Sequence, residues 1–219
     1  MRESLPNAQF VFSSSAATYG VPYMNPTHEV DLCVPISPYG ESKLMVEQIL
    51  HWYHQAYGFN YVAFRYFNAC GADPAGRHGQ APGATHIIAR VLESLRDNQT
   101  FTLNGTKYQT DDGTCVRDYV HVADIAQAHI SAITCKIESG TYNLGTSLGI
   151  SNQQIVDTAE KITGQKLTVV EGPEREGDPP TLTASSAKFD RTVGSWRQYN
   201  LDDMIQHAWN WYVRKDKKV

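Results

Sequence analysis

The 219-residue chain sets 19 Lys and Arg against 23 Asp and Glu, a formal net charge of -4, and is 41% hydrophobic, enough to bury a core in one large domain or two smaller ones. It lacks the basic excess that duplex binding requires, so no nucleic acid partner is expected, and its apolar runs are too short and too interrupted for a membrane span or a signal peptide. Cys33, Cys70, Cys115 and Cys135 stand far apart with no Cys-x-x-Cys pair, which argues against a zinc knuckle or a dense disulfide frame and for a reducing, cytoplasmic setting.

In chain order, Ala8-Gln9-Phe10-Val11-Phe12 reads as a buried strand that ends in Ser13-Ser14-Ser15. A loop follows to Ser37-Pro38, where a Ser cap and a first-turn Pro announce a helix running to a stop at Gly58. Leu44, Ile49, Leu50 and Tyr53 mark its apolar side. Tyr61 to Phe67 is the next strand, and a Gly, Ala and Pro-containing loop extends from Asn68 to Gly83. Thr85 to Asp97 reads as a helix with Ile87, Ile88, Val91 and Leu95 on one stripe. Between Thr100 and Val120 lie short extended pieces, broken by the turn dipeptides Asn104-Gly105 and Asp112-Gly113. A helix over Val122 to Cys135, a strand Tyr142 to Leu144 and a helix from a Ser151 cap to a Gly164 stop come next. The last of these turns Ile155, Val156, Ala159 and Ile162 inward. Lys166 to Val170 is expected as a strand, Glu171 to Pro180 as a surface loop and Leu201 to Arg214 as a closing helix. This alternation is that of an α/β fold with a mostly parallel sheet.

Chemistry concentrates in Tyr39-Gly40-Glu41-Ser42-Lys43. Residues four apart share a helical face, so the phenol and the ammonium can act together. Free Tyr is a poor base near neutrality, but a fixed ammonium and a cationic nicotinamide ring would favour its phenolate, which could accept a sugar hydroxyl proton; taken alone, the spacing equally fits a partly exposed Tyr beside a solvated Lys. Ser13-Ser14-Ser15 closes a strand some two dozen residues earlier, where open parallel sheets place ligands. His51, His54, His121 and His129 show no regular metal-ligand spacing and read as packed or exposed residues. Trp196, Trp209 and Trp211 read as cover for a core or a subunit contact, and Lys215, Lys217 and Lys218 as a solvated tail.

A hydroxyl at a strand end, Ser37-Pro38-Tyr39-Gly40-Glu41-Ser42-Lys43, Arg65-Tyr66-Phe67-Asn68, Val116-Arg117-Asp118-Tyr119-Val120-His121-Val122 and Arg175-Glu176-Gly177-Asp178 occur in this order. Together they resemble the extended short-chain dehydrogenase/reductase superfamily and, within it, the UDP-glucose 4-epimerases, from about Phe10 to the C-terminus. The resemblance implies a partial Rossmann-like, doubly wound parallel sheet with a smaller C-terminal α/β substrate-binding domain. Residues 1–68 would be the remainder of the NAD-binding part and 69–219 mainly the UDP-sugar domain, with 116–145 packing back on the former.

It also implies roles. Tyr39 matches the general base, Lys43 the residue on the nicotinamide ribose, and Ser15 the catalytic hydroxyl beside the sugar O4. Ser13, Tyr66 and Phe67 match the cofactor side, and Asn68 matches a diphosphate and sugar contact. Thr102, Leu103 and Asn104 match the backbone along the uracil, Arg117 and Arg175 the cations on the UDP diphosphate, and Asp178 a ribose ligand. Guanidiniums fork onto phosphate oxygens, and a carboxylate accepts from paired hydroxyls. The implied reaction removes the O4 proton and a C4 hydride, the latter to NAD, to give a 4-ketose. The ketose then turns about its diphosphate and takes the hydride back on its other face. A homodimer is implied as well.

Four features qualify the match. Ser15 is followed by Ala16 and Ala17, not by the acidic pair of related dehydratases, which favours epimerisation; Ala17 also replaces a Thr common in epimerases. Gly83 and Ala84 stand where some epimerases have an Asn pair. Leu182 falls where family members have a residue facing the sugar 2-position, and its bulk favours non-acetylated hexoses. Finally, no Gly-x-x-Gly-x-x-Gly or Gly-x-Gly-x-x-Gly turn is present to hold the NAD pyrophosphate. Family members carry on the order of a hundred further residues ahead of this start, about one mononucleotide-binding half, so the expectation is a fragment or a shortened homologue. The alternative is a non-catalytic UDP-sugar-binding or subunit-interaction remnant, which retained NAD would separate from the enzyme.

Overall fold

The computed structural model describes residues 8–83, 85–175 and 177–214. Met1 to Asn7, Ala84, Glu176 of the Arg175-Glu176-Gly177-Asp178 motif, and Lys215, Lys217 and Lys218 lie outside the described residues. The strands are β1 (Phe10–Ser15), β2 (Tyr61–Tyr66), β3 (Asn68–Cys70), β4 (Phe101–Asn104), β5 (Val116–Arg117), β6 (Tyr119–His121), β7 (Gly140–Leu144), β8 (Ile150–Ser151), β9 (Val169–Gly172) and β10 (Thr181–Leu182). The helices are α1 (Pro38–Tyr57), α2 (Ile87–Arg96), α3 (Val122–Thr134), α4 (Asn152–Thr163), α5 (Ala187–Val193) and α6 (Leu201–Tyr212). This is the expected α/β architecture.

The organising sheet is parallel, in the order β1-β2-β7. Its centre, β2, is Tyr-Val-Ala-Phe-Arg-Tyr, with every residue but the last buried, as a parallel strand covered on both faces requires. Val62 and Phe64 face Ala128 and Ala132 of α3 and Phe189 of α5. Tyr61 and Ala63 face Leu50 of α1 on the other side. A second core joins α2, α4 and α6 to β4, with Leu92, Ile155, Met204 and Ile205 almost wholly buried. It is the sum of three amphipathic stripes; α2 contributes Ile88, Val91 and Leu95, as its spacing predicts. Short pairs, β3 with β6 and β5 between β8 and β10, lie outside the main sheet.

Several expectations are corrected. The first strand begins at Phe10 and is half-buried, not buried, because among the described residues β1 pairs only with β2. Of the residues expected on the apolar side of α1, Leu50 is buried, but Ile49 and Tyr53 are about half exposed, and the helix buries Glu47 in their stead. The strand expected at Lys166 starts at Val169, because Glu160 of α4 captures the Leu167 N–H at 2.8 Å and the Lys166 ammonium at 2.5 Å. Pairing with β4 therefore begins at Phe101↔Val169 and continues through Glu171 and Gly172, which were expected in a loop. The loop after Asn68 opens with β3. The α5 helix had no visible periodicity, since Phe189 is its one buried residue.

His121 ends β6 and caps α3: its Nδ1 accepts from the Ala123 N–H at 3.0 Å, and its Nε2 meets His207 Nδ1 at 3.1 Å. The ring is fully buried, and this desolvation, reinforced by His207, lowers its pKa from 6.5 to about 4. The fold thus favours the neutral ring, whose stabilisation is complete above pH 6.5 and is lost as pH falls toward and through 4. At 1.36 kcal/mol per pKa unit the full loss is about 3 kcal/mol. Urea unfolding at pH 7, 5.5 and 4 is expected to show this decline, and His121→Asn, which keeps a capping acceptor that does not titrate, is expected to flatten it. An equally steep decline in the variant would assign the effect elsewhere.

Candidate active site

A cleft of about 1110 Å³ opens beside the carboxyl ends of β1 and β2, where α/β sheets bind ligands. Its wall includes Ser15, Tyr39, Tyr66, Phe67, Asn68 and Arg117. A smaller cavity of about 230 Å³ shares Asn68 and Arg117 with it and adds Thr102, Leu103, Asn104, Arg175 and Asp178. Eleven of the thirteen residues singled out in the sequence therefore line these two connected spaces. Ser13 and Lys43 are not among the lining residues: the exposed Ser13 reaches the wall through Tyr66, and Lys43 is bonded to Ser13.

Ser37 caps α1 by accepting from the Gly40 N–H at 3.1 Å, and Pro38 opens the first turn. This puts Tyr39, more than half exposed, at the rim of the cleft. Gly40 permits the approach: a Cβ there would lie 2.3 Å from the Ala17 carbonyl oxygen, so a larger residue would push α1 off the turn that follows β1. One turn on, Lys43 donates from Nζ to the Ser13 carbonyl at 2.9 Å and lies 5.4 Å from the centre of the Tyr39 ring. The phenol and the ammonium share one face and one side of the sheet.

Ser15 terminates β1 and caps a 3-10 turn over Ala16–Thr18, its Oγ accepting from the Ala17 N–H at 3.1 Å. That bond occupies an oxygen lone pair and leaves the hydroxyl proton to donate into the cleft. On the neighbouring strand, Tyr66 lies 2.8 Å from Ser13 Oγ and 2.9 Å from His129 Nε2. Burial raises its phenol pKa, an effect the Ser13 hydrogen bond partly offsets. Phe67 packs against Ala16, Tyr19 and Ala184. Asn68 spends one amide N–H on the Asp118 carbonyl at 2.9 Å.

In the smaller cavity, Arg117 Nη2 donates to Asp178 Oδ1 at 2.7 Å, while Nη1 donates to the Val116 carbonyl. The second guanidinium, Arg175, is exposed beside them. Leu103 points its side chain into the core, so β4 offers its backbone with Thr102 and Asn104. Leu182 lines the main cleft.

Sequence reasoning missed the supports. Glu47, one turn beyond Lys43, accepts from Arg65 Nη2 at 2.6 Å and from Nε at 3.1 Å, and also accepts a hydrogen bond from the Ser14 hydroxyl. Burial works against the Arg65 charge, but these hydrogen bonds prevail and its pKa is raised. A charge in the middle of an apolar strand was the available signal, since a buried cation requires a partner.

The model of the NAD dependent epimerase/dehydratase family matches residues 1–145. The UDP-glucose 4-epimerase of Halalkalibacterium halodurans is 43% identical over 210 residues, covering 93% of this chain and 63% of the relative. That of Lacticaseibacillus casei is 46% identical over the same length, with the same coverage. The chain thus spans 63% of the length of these curated relatives. Among solved structures, UDP-glucose 4-epimerase from Brucella ovis in complex with NAD superposes with a TM-score of 0.89 at 39% identity, covering 95% of this chain and 66% of that one. The enzyme from Bifidobacterium longum in complex with NAD+ and UDP gives 0.86 at 32% identity, covering 97% and 66%. Among the described residues, no helix is long and apolar enough to cross a membrane.

Proposed function

The chain belongs to the NAD dependent epimerase/dehydratase family, and from that premise we propose that it carries the catalytic and sugar-binding part of an enzyme that epimerises C4 of a UDP-hexose, UDP-glucose and UDP-galactose being the pair. The observation that carries this reading is the Tyr39 and Lys43 pair on one face of α1, tied to Ser13 at 2.9 Å and facing a cleft that continues to Arg117, Arg175 and Asp178. The relatives bear this activity in their names, and the B. longum structure holds NAD+ and UDP together.

The donor set fits the nicotinamide-ribose end of NAD: an ammonium fixed by a carbonyl, two phenols and an exposed hydroxyl. The 219 residues contain no glycine-rich turn for its pyrophosphate. When bound, the cofactor supplies hydride acceptance and return at C4. The chain's own residues do the rest. Tyr39, as its phenolate, takes the O4 proton and becomes the neutral phenol, and the Lys43 ammonium stabilises the phenolate that precedes the transfer. Ser15 donates a hydrogen bond from its free hydroxyl to O4 and holds the sugar in place. Arg117 and Arg175 grip the diphosphate, so the hexose turns about a fixed nucleotide, while Asp178 accepts from the ribose and β4 flanks the uracil. Residues 1–68 and 69–219 would divide these tasks, with 116–145 bridging them.

The test is incubation of the chain with NAD+ and UDP-glucose, with chromatographic separation of UDP-galactose. Interconversion is expected; a chain that binds UDP but neither retains NAD nor forms product would return the reading to a binding remnant.

Leu182 at the cleft supports a preference for non-acetylated sugars. The expected result is a higher kcat/KM for UDP-glucose than for UDP-N-acetylglucosamine, by about 10-fold or more, the discrimination a filled pocket gives. Equal values would remove Leu182 as the determinant.

A cytoplasmic homodimer completes the proposal. Its support is the outer face of α1, where Met45, Ile49, Trp52 and Tyr53 are all about half exposed or more, a patch of the kind that marks interfaces. Sedimentation is expected to give a dimer that Ile49→Asp dissociates; a wild-type monomer at micromolar concentration rejects it.

A further inference from the structure

Asp118 lies between β5 and β6, directly after Arg117, and is fully buried. Its carboxylate gathers donors from two distant stretches of chain. Oδ1 accepts from the Thr146 N–H at 2.6 Å and from the Thr146 hydroxyl at 2.8 Å. Oδ2 accepts from the Ser147 N–H at 2.9 Å and from the Ala184 N–H at 3.0 Å. The backbone of the same residue adds two more segments. Its carbonyl accepts from the Asn68 backbone N–H at 3.0 Å and from the Asn68 side-chain amide at 2.9 Å, and its N–H donates to the Leu182 carbonyl at 3.1 Å.

The junction is tight. A Cβ on Gly145 would fall 2.7 Å from both Asp118 Oδ2 and the Ala184 Cβ, and Ser147 is held at φ 61°, in the left-handed region that side chains disfavour. Ala184 packs with Ala16, Phe67 and Leu182, and those three line the main cleft. One buried charge therefore ties down the layer directly beneath the cleft wall. Hydrogen bonds to an ionised acceptor are the strong ones, and a buried N–H left without a partner is costly, so these segments close on the carboxylate and separate without it.

We propose that Asp118 is a positioning residue that sets sugar specificity: by holding Ala184, Thr146 and Ser147 on one carboxylate it fixes where Leu182 stands, and so how much room the cleft leaves for the hexose. Tyr39 and Lys43 are held separately, through α1 and the Ser13 carbonyl, so the clamp acts on fit and leaves proton transfer alone. The sugar it fits rests on the UDP-hexose reading; the clamp itself does not.

Asp118→Asn keeps the volume and one acceptor oxygen but turns an amide toward donors, leaving at least one backbone N–H without its partner. Two measurements on the full chain decide the matter. Hydrogen exchange followed by mass spectrometry is expected to quicken in residues 145–148 and 182–186 together, with α1 unchanged. Quickening in α1 as well, or in neither segment, overturns the clamp. Calorimetry with UDP, UDP-glucose and UDP-N-acetylglucosamine is the second readout. UDP affinity is expected to hold within about threefold, while the preference for UDP-glucose over the acetylated sugar falls from about tenfold to about twofold. Thr146→Val, a milder change that removes one donor, is expected to move the preference the same way. An unchanged preference in both variants, or an equal loss for all three ligands, overturns the role in specificity. Ser186→Ala, which removes the hydroxyl bonded to Gly145 in the same junction without touching Asp118, is expected to keep the preference; the same fall there would make the effect general loosening and overturn the assignment to Asp118. A wild-type chain that shows the binding preference without turnover fails the epimerase reading and leaves the role of Asp118 standing.

Discussion

Glu47→Leu is expected to destabilise the fold by about 3–5 kcal/mol, the loss that follows when a buried ion pair is left with one partner. Glu47 is 5% exposed, and its carboxylate meets Arg65 Nη2 at 2.6 Å. Arg65 sits in the middle of β2, 4.6 Å over the Tyr19 ring, and its Nη1 has no hydrogen-bond partner among the described residues. It therefore has no second anion to turn to. The loss should be largely recovered in Glu47→Leu with Arg65→Met, because two apolar groups of similar volume remove both desolvation penalties. Urea midpoints of the two variants decide it: a single variant within about 1 kcal/mol of wild type, the worth of a surface pair, would mean that water reaches Arg65. The pair has a second consequence, since Glu47 also holds the Ser14 hydroxyl. It pins α1 to two strands at once, one turn beyond the point where Lys43 reaches Ser13.

That dependence explains what was and was not legible in the sequence. Local signals placed α1 well: a Ser cap, Pro in the first turn, and Gly58 in the left-handed region at φ 66° as the stop. They misjudged which way it faces. Hydrophobicity points to Ile49 and Tyr53, but Tyr39, Lys43 and Glu47 recur every four residues, and that polar stripe is the one turned to the sheet. A rule that buries apolar residues does not anticipate a helix held by a carboxylate and an ammonium. The same limit applies to β9, whose start is shifted by the reach of Glu160 from another helix, and to His129, whose partner Tyr66 lies 63 residues away. The motif residues were more visible than their supports. Tyr-x-x-x-Lys is a statement about one helix, and the strand-end serines a statement about one strand, whereas Glu47 with Arg65 is a tertiary contact.

Tyr39→Phe removes one oxygen from the rim of the cleft, and its expected effect is a fall in kcat of about 10²–10⁴-fold, the usual contribution of a positioned acid-base group. Stability should hardly change, because the side chain is 57% exposed and its hydroxyl supports no core contact. Lys43 keeps its bond to the Ser13 carbonyl in the variant, so the neighbouring charge stays in place and only the proton acceptor is lost. Binding of UDP should also persist, since Arg117, Arg175 and Asp178 line the smaller cavity, of whose lining Tyr39 is not a part. The measurement is a paired one: turnover of UDP-glucose, and UDP affinity by calorimetry. Undiminished turnover would move the base elsewhere, and Ser15, with its hydroxyl already capping the 3-10 turn, is badly placed to replace it. A loss of UDP affinity equal to the loss of turnover would instead mean that the phenol binds substrate and does no proton transfer. The geometry favours a loss of turnover with UDP binding kept, because Tyr39 stands at the rim of the cleft one helical turn from a fixed ammonium, and a nucleotide held by two guanidiniums does not need the phenol for affinity.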